Sequence, residues 1–258
     1  MVNEIVVCGD SFGCGIGLPF KHCFEKSFGG LISQQYNVPH TVYARSGCCN
    51  YVIYLQVKKV IEDYKHKDKP VVLVTTTNHS RFVFPSDHAD SGYNNYSLED
   101  VAYTLHEPYS GREHVYKRPL PFTPKSKPKL VSETVSNFVY YFKGKAPNLE
   151  YLFSNVKEKL SAIKSFYEEL YDDSIKQDYD SGVILMMHMM LKEAGFPHVI
   201  MSPNPHQDRF IDKKNYLQNN WGTYSQKYPD VMGSGHCDEQ GHIEVAEKII
   251  KHIEGIVL

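Results

Sequence analysis

Ile5-Val6-Val7-Cys8-Gly9-Asp10-Ser11-Phe12-Gly13 brings four apolar, mostly β-branched residues straight into glycine, aspartate and serine. A continuous apolar run of this length, closed by a turn signal, reads as a buried strand that delivers a loop. Outward from it, Phe28 to Tyr36 has helical spacing and Val38 to Ala44 is a second strand candidate. Asn50 to Tyr64 repeats apolar residues at helical period (Val52, Ile53, Leu55, Val57, Val60, Ile61), and Pro70 to Thr75 holds the run Val71-Val72-Leu73-Val74. That last run fits a strand covered on both faces, as in a parallel sheet. Strand, helix, strand, helix, strand is α/β alternation, with the helices as right-handed crossovers.

From Asn78 to about Pro147 the alternation stops, in a stretch rich in Tyr, Pro, Ser, His and Asn. We read residues 79–147 as an insertion or lid within one domain spanning 1–258, since loops of this length are usually functional or disordered. The proline-punctuated basic run Lys117-Arg118-Pro119 through Lys129 reads as a solvated linker. Asn148 to Ala194 has helical period in two or more pieces, and its methionines (Met186, Met187, Met189, Met190) read as core filler. Gly195 is a stop signal and His198 to Met201 a fourth strand candidate. Pro203 to Gly235 reads as an irregular polar loop. Asp238 to Ile256 reads as the last helix, with Asp238 as its cap.

Composition bounds the function. The chain has 258 residues, 41% hydrophobic and 22% charged, which is ordinary for a globular protein. A net charge of -2 supplies no field of the kind nucleic-acid binding needs. Nineteen tyrosines suit loops that cover a core or line a cleft. Six cysteines without C-x-x-C spacing read as free thiols in a reducing compartment. The first residues lack a basic n-region and a long apolar core, and no eighteen apolar residues run together. The expectation is a cytoplasmic protein without a membrane span.

Four segments carry candidate chemistry. Ser11, on the loop leaving the first strand, stands where open α/β sheets keep their sites. Gly47, in Ala44-Arg45-Ser46-Gly47-Cys48-Cys49-Asn50, is placed to offer a backbone N–H to an oxyanion. Asn78, after Thr75-Thr76-Thr77, is placed to offer a side-chain amide. Preorganised donors of this kind contribute roughly 3–4 kcal/mol each to an acyl-transfer transition state. His236, in His236-Cys237-Asp238-Glu239-Gln240-Gly241-His242, is the candidate general base, preferred over His242, which falls in the first turns of the last helix. The other histidines (His79, His88, His106, His114) show no metal-ligand spacing, and no cofactor is expected.

In order and in position at strand ends, these four segments resemble the blocks of the SGNH (GDSL) hydrolase family, most closely its small virus-encoded members. Gly9-Asp10-Ser11 looks like the first block, Gly47 the Gly block, Asn78 the Asn block, and His236 with Gly241-His242 the His block, with Cys237 where proline is usual. The resemblance covers residues 3–78 and 230–256. It implies a three-layer α/β/α, flavodoxin-like sandwich with a central parallel sheet. It also implies ester hydrolysis through an acyl-enzyme on Ser11, with the N–H groups of Ser11 and Gly47 and the amide of Asn78 as oxyanion hole. The implied substrate is a small-molecule or carbohydrate ester. A virus-encoded member would act in the host cytoplasm.

Two departures stand out. The family places Asp three residues before its catalytic His, where this chain has Gly233. Asp230, six residues before His236, is the nearest acid to complete a triad, the alternative being a Ser–His dyad. Two positions before Asn78 stands Thr76 where the family has Gly, and His79 follows where it has Asp. Rival readings are a binding protein that keeps this fold without catalysis, an acyltransferase, and a flavodoxin-like nucleotide binder. Against the last, G-x-G-x-x-G fails at Leu18 and Walker A spacing is absent.

Overall fold

The computed structural model describes residues 2–19, 23–45, 48–79, 81–86, 95–96, 105–107, 129–134, 156–203, 211–231, 233 and 235–257. Its strands are β1 (Ile5–Cys8), β2 (His40–Val42), β3 (Val71–Thr75), β4 (Arg81–Ser86), β5 (Asn95–Tyr96), β6 (Leu105–Glu107), β7 (Lys129–Thr134), β8 (His198–Ser202) and β9 (Tyr216–Gln218). Its helices are α1 (Cys23–Lys26), α2 (Phe28–Tyr36), α3 (Asn50–Asp63), α4 (Val156–Glu169), α5 (Asp173–Glu193), α6 (Trp221–Lys227) and α7 (Glu239–Val257).

Five parallel strands run β2-β1-β3-β8-β9, and β6 adds to the β2 edge antiparallel. Numbered among the parallel strands alone, the order is 2-1-3-4-5, the flavodoxin-like winding, which reverses direction beside the first strand. The expected α/β/α sandwich is what the chain forms. Successive residues of a strand point to opposite faces, and the core divides accordingly. Ile5, Val7, Val71, Leu73, Val199 and Met201 face one helical layer, with Phe28 and Ile32 of α2 and Val245 and Ile249 of α7. Val6, Cys8, Val72, Val74 and Ile200 face the other, with Val52, Ile53 and Val57 of α3 and Ile184, Met187 and Leu191 of α5. Uninterrupted apolar strands are thus required by two-sided covering.

Local chemistry sets the helix ends. Ser27 caps α2 by accepting from the Gly30 N–H, and Asp172 caps α5 by accepting from Ser174 and Ile175. Asp238 accepts from the N–H groups of Gln240 and Gly241, as its position before the last helix predicts. All six cysteines are free and buried. Among the described residues no helix is long and apolar enough to cross a membrane, and no group of His, Cys, Asp and Glu is arranged to hold a metal ion.

Three expectations need correction. Pro203 to Gly235 is not irregular throughout. It supplies the edge strand β9 and the helix α6, because Tyr216, Trp221 and Tyr224 bury their rings against the two cores. The methionines divide: Met187 is core, whereas Met186 and Met189 are 44% and 54% exposed. The stretch 79–147, expected to be a long loop, also contains sheet structure. Within it β4, β7 and β5 form a small antiparallel sheet, and β6 joins the main one. The rest of the insertion, the basic run 117–128, and residues 148–155 lie outside the described residues.

Two buried histidine sites make stability depend on pH. His198 Nδ1 lies 2.7 Å from the Phe196 carbonyl and its Nε2 lies 2.9 Å from His188 Nδ1. A carbonyl only accepts, so His198 donates from Nδ1 and accepts at Nε2, and His188 donates from Nδ1. Burial, above all, lowers the His198 pKa to about 4, and that of His242 to about 3. Both folded values lie below the unfolded one, so the unfolded chain binds more protons. Their contribution is complete above pH 6.5 and is lost as pH falls toward 4 and below. For His198 alone the loss is roughly 3 kcal/mol. Urea midpoints should therefore fall steeply between pH 6.5 and 4.5, and less so in His198→Asn. A flat midpoint across that interval would contradict this account.

Candidate active site

Strand β1 ends at Cys8, and the chain then turns through Gly9, Asp10 and Ser11 beside the carboxyl end of β3, at the point where the strand order reverses. The close passage of the two strand ends requires glycine at 9. Its φ is 155°, and a Cβ there would lie 2.0 Å from Thr75 Oγ1. Asp10 and Ser11 are each 3% exposed. An Asx turn shapes the loop, with the Phe12 N–H donating to Asp10 Oδ1 at 3.2 Å.

The imidazole of His236 arrives from the other end of the chain. Residues 228–230 lie against residues 236–238. Pro229 bridges Cys237, the Asp238 N–H donates to the Tyr228 carbonyl, and Asp230 and His236 exchange backbone contact through the Asp230 N–H at 3.1 Å. This turn lies directly on the segment following Ser11. Gly17 (φ 100°) has no room for a side chain, because a Cβ would lie 2.8 Å from His236 Cβ and 2.7 Å from the Cys237 carbonyl. The Phe12 ring, one residue from the candidate nucleophile, has its centroid 4.7 Å from that of His236 and stacks on Trp221 at 4.7 Å and 8°. Phe12 is thus held between the indole and the imidazole.

Electrostatics link the same groups. Burial pushes the Asp10 carboxyl above its ordinary range. The Arg81 guanidinium, the Phe12 N–H, a hydrogen bond from Thr77 and the charge of His236 oppose it in that order. Asp230, 6% exposed, accepts the His236 backbone N–H at 3.1 Å on its carboxylate. The acid six residues before His236 therefore holds the histidine's main chain.

Asn78 follows β3, with its carbonyl accepting from the Arg81 N–H at 3.3 Å, and its side chain is exposed. Both departures beside it have structural partners. The Thr76 N–H and hydroxyl donate to the Met201 carbonyl at 2.9 and 3.2 Å, tying β3 to β8. His79 Nε2 lies 2.9 Å from Asp173 Oδ2 at the start of α5. Gly47 lies outside the described residues. His242, the rival base, is fully buried. Its Nδ1 accepts the Phe28 N–H at 3.2 Å, satisfying an open donor at the start of α2, and its ring packs on Phe28 and Trp221.

Two side chains outside the motifs organise the candidate site. Gln56, buried on α3, accepts the Gly9 N–H at 2.7 Å on Oε1 and donates to the Gly9 carbonyl at 3.2 Å from Nε2. Asn50, at the start of the same helix, grips Thr77 in the same way, accepting its N–H at 2.9 Å and donating to its carbonyl at 3.0 Å. Asn50 is held in turn by Asp180 at 2.8 Å, and Asp180 by Lys176 at 2.5 Å. One helix thus anchors both the loop bearing Ser11 and the loop bearing Asn78. Gln56 had a readable signal: it is a polar residue inside the apolar stripe of Val52, Ile53, Val57 and Val60. No protein-family model, curated protein or solved structure matches this chain.

Proposed function

We propose that the chain is a serine ester hydrolase of the SGNH type. Ser11 is the nucleophile, His236 its general base, and Asp230 a positioning residue that keeps the His236 loop in place. The observation that carries the reading is the packing of the His236 imidazole on Phe12, which brings a base from the end of the chain to the residue beside Ser11. In this scheme the Ser11 hydroxyl attacks an ester carbonyl while His236 takes its proton. The tetrahedral oxyanion is held by the Ser11 and Gly47 N–H groups and the Asn78 amide. His236 then protonates the departing alcohol. Water, deprotonated by the same imidazole, cleaves the acyl-enzyme and restores the hydroxyl. Apart from Gly47, which follows β2 in the sequence, the groups of this scheme come from the carboxyl ends of β1 and β3 and the turn before α7. Small-molecule and carbohydrate esters are the proposed substrates, and a cytoplasmic setting suits the six buried thiols.

A fluorophosphonate probe tests the assignment, because it forms a stable bond only with an activated serine. The expected result is stoichiometric labelling of the wild-type chain at Ser11, none in Ser11→Ala, and a burst of p-nitrophenol from p-nitrophenyl acetate. Wild-type protein that stays unlabelled, or Ser11→Ala that labels equally, would sink the assignment.

A further inference from the structure

The first turns of α5 carry Asp173, Lys176 and Asp180 on one face, at steps of three and four residues. The same face continues into Ile184 and Met187, which pack in the core beside α3. Two of the charged residues form a buried pair: Asp180 is 3% exposed, and Lys176 Nζ lies 2.5 Å from its Oδ1.

This face reaches both neighbours of Asn78. Before it, Thr77 is held by Asn50, and Asn50 Nδ2 donates to Asp180 Oδ2 at 2.8 Å. After it, His79 Nε2 lies 2.9 Å from Asp173 Oδ2. The second contact is screened by water, because the Asp173 side chain is 65% exposed. The first is buried, since Thr77 and Asn50 are 8% and 1% exposed.

A buried ion pair contributes little net stability, because desolvation of the two ions offsets their attraction. This pair supplies direction instead. Burial raises the Asp180 carboxyl above its ordinary range, and the Lys176 ammonium beside it is the largest influence opposing that rise. A carboxylate only accepts, so the Asn50 group that faces it is the NH2. That leaves Asn50 Oδ1 for the Thr77 N–H at 2.9 Å and the other Nδ2 hydrogen for the Thr77 carbonyl at 3.0 Å. An Asn50 amide turned over would set NH2 against N–H and oxygen against oxygen, and Thr77 would lose both bonds.

We propose that Asp180 is a positioning residue of the oxyanion hole, which fixes the orientation of the Asn50 amide and so holds Asn78 where its side chain meets the ester oxyanion. The inference rests on the hydrolase reading of the site. Lys176 keeps Asp180 in its accepting form.

Two paired substitutions in the full chain test it on p-nitrophenyl acetate. Lys176→Met with Asp180→Asn removes both charges but keeps an oxygen for Asn50. Lys176→Met with Asp180→Leu removes the charges and the oxygen at similar volume. The first pair should stay within about tenfold of wild-type kcat. The second should fall about 100-fold further, with KM little changed. Hydrogen exchange of the Thr77 amide should quicken only in the second. In an Asn78→Ala background the difference in kcat between the pairs should vanish, which a merely structural loss would not produce. Asp180→Asn alone gives the same information if the leucine pair does not fold. The Lys176 ammonium then draws the new oxygen and turns its NH2 toward Asn50, so kcat should fall about 100-fold and recover when Lys176→Met is added. Equal kcat in the two pairs, a change confined to KM, or a difference that persists without Asn78 would overturn the proposal while wild-type turnover stands. A wild type that neither turns over the ester nor reacts with fluorophosphonate would instead remove the hydrolase reading, and this proposal with it.

Discussion

Replacing His236 by alanine is expected to lower kcat for ester hydrolysis about a million-fold, close to the loss from Ser11→Ala, because nucleophile and base act as one unit. In the proposed mechanism, loss of the imidazole leaves the Ser11 proton without an acceptor and the leaving alcohol without a donor. The neighbouring acid predicts a finer distinction. Asp230 holds the His236 main-chain N–H through its carboxylate. Asn at 230 keeps an oxygen for that bond but removes the charge, whereas Ala removes both. If Asp230 serves by shaping the loop, Asp230→Asn retains activity within about tenfold and Asp230→Ala loses substantially more. A carboxylate that stabilises the imidazolium would instead cost roughly 10,000-fold in the Asn variant. Single-turnover rates of the four variants on p-nitrophenyl acetate separate these outcomes, and a million-fold loss confined to Ser11→Ala would remove His236 from its role.

The second large effect is expected far from any conspicuous motif. Gln56→Leu keeps the shape of the side chain and removes both hydrogen bonds to Gly9. The Gly9 carbonyl retains the Arg45 N–H at 3.0 Å, but the Gly9 N–H loses its Gln56 acceptor. Leaving a buried donor unmatched costs roughly 1–3 kcal/mol of stability. The consequence for the reaction is positional, because Ser11 lies two residues on, and a shift near 1 Å in a reacting group costs about 100-fold. The expected outcome is a kcat about 100-fold lower with KM little changed, and a urea midpoint that falls but leaves the chain folded. Wild-type kcat in a folded Gln56→Leu variant would show that the Gly9 clamp does not position the nucleophile. A KM effect alone would place Gln56 in substrate binding instead.

Much of the architecture was legible because period and punctuation act locally. The runs at 5–8, 71–74 and 199–201 are apolar on every residue, which fits a strand covered on both sides, and α2 and α3 began where the periodicity began. The short elements β9 and α6 escaped notice because neither has a period of its own. Three residues of edge strand and two turns of helix persist because Tyr216, Trp221 and Tyr224 find cores made by other parts of the chain. The methionine stripe misled for a related reason. Two faces of α5 carry apolar residues at the same period, and only packing against α3 distinguishes the buried face from the open one.

The α/β alternation, the strand-to-loop transition at Cys8-Gly9 and the capping of the last helix by Asp238 follow from the amino acids themselves, since each depends on neighbours within a few residues. The meeting of Phe12 with His236, the grip of Gln56 on Gly9 and the use of Asp230 on a main-chain amide were decided by the tertiary structure. Those contacts join residues 224, 47 and 6 positions apart, and no local propensity encodes which backbone group a side chain will meet once the sheet has wound.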